Sequence, residues 1–133
     1  MKRWRWISTD LVYAVHEVQL ARHGGLDGLR DQNAVESALA RPEQLHVYGN
    51  PAPDAADLAA AYAYGLARNH GFSDGNKRTA WVVARVFLAD NDVRLQFSEI
   101  DAIHAMQAVA GGALDEQQLA DWFRQRIVKP DIA

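Results

Sequence analysis

The sequence predicts an all-α fold, a compact bundle packed around a buried central helix, and three observations carry that prediction. Apolar residues recur at helical spacing through five or six segments. Nearly every such segment follows a residue able to cap it. Only Val93-Arg94-Leu95-Gln96-Phe97 alternates as a strand does, and one short strand does not make a sheet.

In chain order, Ser8 or Thr9 caps a first helix whose Leu11, Val12, Val15 and Val18 share a side, and which ends near His23-Gly24-Gly25. Asp31 caps a second carrying Val35, Ala38 and Leu39, stopped by Pro42. Asp54 caps a third through Leu58, Tyr62 and Leu66. The fourth opens near Gly75 or Asn76, and its body from Ala80 to Ala89 is apolar nearly all round, which marks it as the central helix. Ser98 caps a fifth with Ile100, Ile103, Met106 and Val109, and Asp115 with Gln118 forms a capping box ahead of Leu119, Trp122 and Phe123. Leu45 to Asn50 reads as non-helical.

A length of 133 residues suits one domain, 1–133, with a real core. A net charge of −3 disfavours a direct nucleic-acid binder, and the absence of cysteine excludes disulfides and thiolate metal sites. The basic start, Met1 to Trp6, precedes no long apolar stretch, so neither a signal peptide nor a membrane span is expected and cytoplasmic residence is the default.

The chemistry concentrates in His70-Gly71-Phe72-Ser73-Asp74-Gly75-Asn76-Lys77-Arg78-Thr79-Ala80. A helix starting there presents unpaired amides and the positive end of its dipole, roughly half an elementary charge, so an anion is its natural occupant. Gly75 permits close backbone approach, Lys77 and Arg78 add positive charge, and Asn76 adds a neutral donor. Asp74 beside a polyphosphate calls for a mediating cation, ordinarily Mg²⁺. His70, an imidazole just upstream, can take a proton from an incoming hydroxyl. Transfer of a group from a nucleotide to an alcohol follows. Helix capping and a surface charge pair are the bland alternative for any one of these residues. Neither a Walker loop nor GxGxxG is present.

His70-x-Phe72-x-Asp74-Gly75-Asn76-Lys77-Arg78 resembles the signature of Fic/Doc proteins, in particular the Doc (death-on-curing) toxin branch. Gly28-Leu29-Arg30-Asp31 and Glu36 to Pro42 are also similar to Doc-type proteins, extending the resemblance over about residues 5–125. It implies His70 as general base, Asp74 as the Mg²⁺ holder, Gly75, Asn76, Lys77 and Arg78 as the phosphate site, and Phe72 as a buried anchor. It also implies a small flap that aligns the target chain, for which His46, Val47 and Tyr48 are the candidates, an ordinary surface loop being the alternative.

Two departures from adenylylating Fic proteins stand out: Lys77 replaces a second glycine, and Trp81 replaces a further arginine. Both imply the Doc arrangement, in which ATP is reversed, its γ-phosphoryl is transferred, and elongation factor Tu is the target. Gly71, where many Fic proteins carry proline, points the same way. No glutamate here precedes Gly or Asn, so the self-inhibitory Fic motif is absent and inhibition falls to another chain, an antitoxin. The expected function is therefore a toxin acting as a Mg-ATP-dependent protein kinase. A Fic-type adenylyltransferase and a catalytically idle anion-binding module are the alternatives.

Elsewhere, His16-Glu17 starts like a zinc-protease helix, but Leu20 stands where the second histidine is needed. His23, His46 and His104 read as surface or capping residues, Arg30 as a surface residue or one reaching a phosphate or the flap, and Trp4, Trp6 and Trp122 as core or edge packing, a partner surface being the alternative.

Overall fold

Six helices and one two-residue strand pair make up residues 3–128, the part of the chain that the computed structural model describes. They are α1 Thr9–His23, α2 Gln32–Tyr48, α3 Ala55–Arg68, α4 Asn76–Asp90, β1 Arg94–Leu95, α5 Glu99–Gly111, α6 Glu116–Arg126 and β2 Ile127–Val128. The all-α expectation holds. Five helices start on the residues the sequence nominates: Ser8, Asp31, Asp54, Ser98 and Asp115 each accept a backbone N–H of the first turn. The alternating stretch supplies β1, which pairs antiparallel with β2 in the register Arg94 opposite Val128 and Leu95 opposite Ile127.

The central helix is α3, not α4. Its Ala56, Leu58, Ala59, Ala60, Ala61, Tyr62, Ala63, Leu66 and Ala67 are all buried, and it packs against α2, α4, α5 and α6. Alanine explains this placement, because a helix with small side chains on every face lets four neighbours approach closely. Such a helix reads as only mildly apolar in sequence. By contrast α4 buries Thr79, Ala80, Val83, Ala84, Phe87 and Leu88, while Trp81 and Val82 stay half-buried and Arg85 is exposed. It is amphipathic because one side borders a cavity.

Three further expectations are corrected. Pro42 does not stop α2, which runs on to Tyr48 and closes where the Gly49 N–H donates to the Leu45 carbonyl at 2.8 Å. Proline removes one backbone bond and strains the preceding turn, but Pro42 is fully buried in the core, and packing outweighs the helix penalty of about 3 kcal/mol. His46, Val47 and Tyr48 therefore belong to the last turn of a helix and offer no extended edge. On α1 the buried stripe is Val12, Val15, His16 and Gln19, leaving Val18 45% exposed. On α5 it is Ala102, Ala105, Met106 and Val109, leaving Ile100 and Ile103 at 65% and 55%. In both helices small or polar residues share the core face with valine, and Val18, Ile100 and Ile103 lie outside it.

The tryptophans do pack, as expected. Trp4 and Trp6 stack on Phe87 with ring centroids 5.8 and 6.1 Å apart, and Trp122 meets Phe123 edge to face. The ends of α3 and α6 are joined by Arg124, which pairs with Asp54 at 2.9 Å and Asp57 at 2.8 Å. Met1 and Lys2 of the basic start lie outside the described residues. No helix among the described residues is long and apolar enough to cross a membrane.

Candidate active site

The start of α4 differs from that of every other helix. Its N-cap, Gly75, adopts the left-handed conformation (φ 79°), and no side chain caps the first turn. The residues of that turn line a cavity of about 700 Å³. His70, Asp74, Gly75, Asn76, Lys77 and Arg78 all line this cavity. The six residues that the sequence nominates for chemistry are thus brought together. The rest of the lining includes an apolar wall of Trp81, Phe97, Ala102, Ile103 and Met106, with Glu99 and Gln107 beside it.

Asp74 is exposed, yet its carboxylate is held in place. Oδ1 accepts the Gly75 N–H at 2.9 Å and Oδ2 accepts the Leu26 N–H at 3.3 Å. The Gly75 amide first, the Leu26 amide next, and the nearby Arg78 charge all hold the carboxyl below the usual carboxylate range, against a small opposing effect of burial. Gly25 makes that approach possible: it sits at φ 124°, and a Cβ there would stand 2.7 Å from Asp74 Oδ2. Each carboxylate oxygen keeps a lone pair free for a cation. Among the described residues no cluster of three metal-type side chains exists, so a cation beside Asp74 would take most of its ligands from phosphates and water. That donor set fits Mg²⁺, which is ordinarily held by one or two carboxylates together with phosphates and water.

His70 is exposed and occupies the left-handed region (φ 51°), where non-glycine residues are uncommon. Strain of this kind collects at functional positions. Phe72 is buried, stacked on His16 with centroids 3.7 Å apart and edge-on to Tyr13. Asn76 departs from the expectation of a donor aimed at the anion. Its Oδ1 accepts the Phe72 N–H at 3.1 Å and its Nδ2 donates to the Phe72 carbonyl at 2.9 Å, so the amide braces the loop from within. Lys77 and Arg78 are exposed and form no ion pair among the described residues.

Trp81 lies one turn into α4, stacked on Phe123 and edge-on to Phe97 at 5.0 Å. Arg85 sits over the Trp81 ring at 5.7 Å but does not line the cavity, so no guanidinium on α4 beyond Arg78 reaches it.

Two features escaped the sequence. His16 is 4% exposed, and its Nε2 lies 2.8 Å from the Asp74 carbonyl oxygen. A carbonyl only accepts, so Nε2 carries the proton. Its place in the i, i+3, i+4, i+7 series with Val12, Val15 and Gln19 was the available signal. The second feature is the segment between α1 and α2. Leu29 forms an antiparallel bridge with Phe72, the Arg30 and Asp31 amides both donate to the Gly71 carbonyl at 2.8 and 2.9 Å, and Ser73 N–H donates to the Gly28 carbonyl at 3.0 Å. An extended strip therefore lies against the motif loop here, and not at Leu45–Asn50. The Arg30 side chain is exposed and does not line the cavity.

An all-α scaffold here presents an uncapped helix start, an acid and an imidazole to one cavity, an arrangement that suits phosphate handling. Comparison with known proteins agrees. The profile of the Fic/DOC family matches residues 6–88, and the chain belongs to that family. It is similar to the protein kinase Doc of Escherichia phage P1, with 31% identity over 121 residues covering 91% of this chain and 94% of that protein. It is also similar to the toxin Doc of Mycolicibacterium smegmatis, with 51% identity over 73 residues covering 54% of this chain and 55% of that protein.

Proposed function

We propose that the chain is a Doc-type toxin of a toxin–antitoxin pair, acting as an ATP-dependent protein kinase on a hydroxyl of a translation component. One observation carries the reading: the helix start left without a side-chain cap is the one that shares a cavity with His70 and Asp74. The names borne by its relatives, a protein kinase and a toxin, support it.

The phosphates of ATP rest against the first-turn amides of α4, with Lys77 and Arg78 supplying charge and Asn76 keeping the loop in register. Asp74 holds Mg²⁺, which when bound offsets the charge of the phosphate oxygens. His70 accepts the proton of the target hydroxyl while that oxygen bonds to the γ-phosphorus; the bond to the leaving oxygen breaks and ADP departs. The apolar wall receives the nucleoside. The strip from Leu26 to Arg30, already paired with the motif loop on one edge, aligns the target chain, the flap role that the sequence assigns to His46, Val47 and Tyr48. Elongation factor Tu is the expected target. Without an internal inhibitory glutamate, silencing comes from an antitoxin chain.

The test is incubation with ATP labelled at the α or the γ position and purified elongation factor Tu. Label from the γ position alone is expected on the target. Label from the α position would make the enzyme an adenylyltransferase and overturn the kinase reading, and no label from either would leave only anion binding. His70→Ala should lower turnover about 10²–10⁴-fold with an unchanged melting temperature, because His70 is exposed and has no packing role.

A further inference from the structure

Among the described residues the Gln19 side chain has no hydrogen-bond partner. It is 8% exposed, it lines the cavity, and among the described residues neither end of its amide forms a hydrogen bond. The side-chain polar atoms sealed in the core without partners are Tyr13 Oη and Thr79 Oγ1, so the Gln19 amide opens onto the cavity instead. Buried polar groups are ordinarily satisfied, and one that faces a cavity without a partner marks a place for a ligand.

Its position on α1 says which part of the cavity it serves. Gln19 lies one turn beyond His16, on the same face, and His16 is pinned to the Asp74 carbonyl at 2.8 Å. The neighbouring Leu20 side chain comes within 3.7 Å of where a Cβ on Gly75 would stand. This turn of α1 therefore packs beside the start of α4, the end at which the proposed phosphates sit. A neutral amide suits that spot. A lysine or arginine would pair with Asp74 and quench the acid, whereas a glutamate would repel a phosphate.

We propose that Gln19 is a ligand-contact residue whose amide NH₂ donates to a phosphate oxygen of the nucleotide seated at the start of α4. This assignment rests on the nucleotide reading above and adds a residue that lies outside the motif. A group selected for a ligand, and not for the fold, has a second consequence. Removing its hydrogen-bonding capacity leaves the free protein no less stable.

The test compares wild type with Gln19→Met, close in shape but unable to donate, and Gln19→Glu. A non-hydrolysable ATP analogue with Mg²⁺ is titrated calorimetrically, and inorganic tripolyphosphate is titrated in parallel. Gln19→Met should weaken both ligands about tenfold or more and Gln19→Glu further, while free Gln19→Met melts at or above the wild-type temperature. Unchanged affinity for the analogue in Gln19→Met, with wild type binding normally, would overturn this proposal and leave the kinase reading standing. Weakening confined to the analogue would move the contact to the nucleoside and refute the phosphate assignment. A lowered melting temperature in Gln19→Met would make the residue structural. Failure of wild type to bind either ligand would sink both readings together.

Discussion

His16 ties the first helix to the motif loop, and replacing it separates two contributions that the structure places on one ring. In His16→Ala the protein loses a part-buried hydrogen bond to a backbone carbonyl at 2.8 Å, about 0.5–1.5 kcal/mol, and the 3.7 Å stack on Phe72, about 0.5–1.5 kcal/mol beyond burial. The void left by an imidazole that is 4% exposed adds about 1–2 kcal/mol, so the total is about 2–5 kcal/mol. His16→Phe keeps the ring and loses only the donor, for about 1–2 kcal/mol. Urea denaturation monitored by tryptophan fluorescence measures both. The functional consequence is separate: with its carbonyl released, Asp74 loses one of its tethers and keeps those from the Gly75 and Leu26 amides, and affinity for Mg-ATP should fall in both variants by a similar factor. If His16→Phe is as damaging to stability as His16→Ala, the stack is worth nothing. If both variants bind nucleotide as wild type does, the ring is core packing and does not position Asp74.

Two other perturbations have outcomes set by the geometry. Gly25→Ala puts a Cβ where Asp74 Oδ2 now sits, at a φ of 124° that alanine tolerates poorly, so calorimetry should show weakened Mg²⁺-dependent nucleotide binding and a melting temperature several degrees lower. Asp54 has its carboxyl lowered to about 2, chiefly by its hydrogen bond from Arg124, with the Asp57 amide contributing. A depressed carboxyl stabilises the fold above its unfolded value, and that contribution disappears as pH falls from about 3.8 through about 2. The Asp54 side chain is 52% exposed, so solvent screening holds the effect under about 1 kcal/mol. Arg124→Ala should be less stable at pH 6 and flatter between pH 4 and pH 2 in urea melts, with the difference shrinking in high salt.

The residues that the sequence nominated for chemistry, His70, Asp74 and the Gly75 to Arg78 run, do line one cavity, because nine consecutive residues joining a loop to a helix start have few ways to separate. Asn76 was legible as an important amide but not in its role. Whether an amide faces an anion or its own loop depends on a backbone bend that the residue type does not state, and here it grips Phe72 from both sides. His16 and Gln19 were invisible as site residues for a different reason. They lie some sixty residues upstream, and only the packing of α1 on α4 carries them to the motif.

What the sequence by itself determined is local: the five capped helix starts, the uncapped sixth, and the short motif whose charges and glycines need no distant partner to declare an anion site. Those features depend on interactions within a turn or two of chain, which residue order states directly. The tertiary structure alone decided which helix sits at the centre, whether Pro42 ends or merely passes through a helix, which strip lies beside the motif loop, and which upstream side chains face the cavity. Each of these is a contest between local propensity and burial against neighbours that the chain meets only after folding.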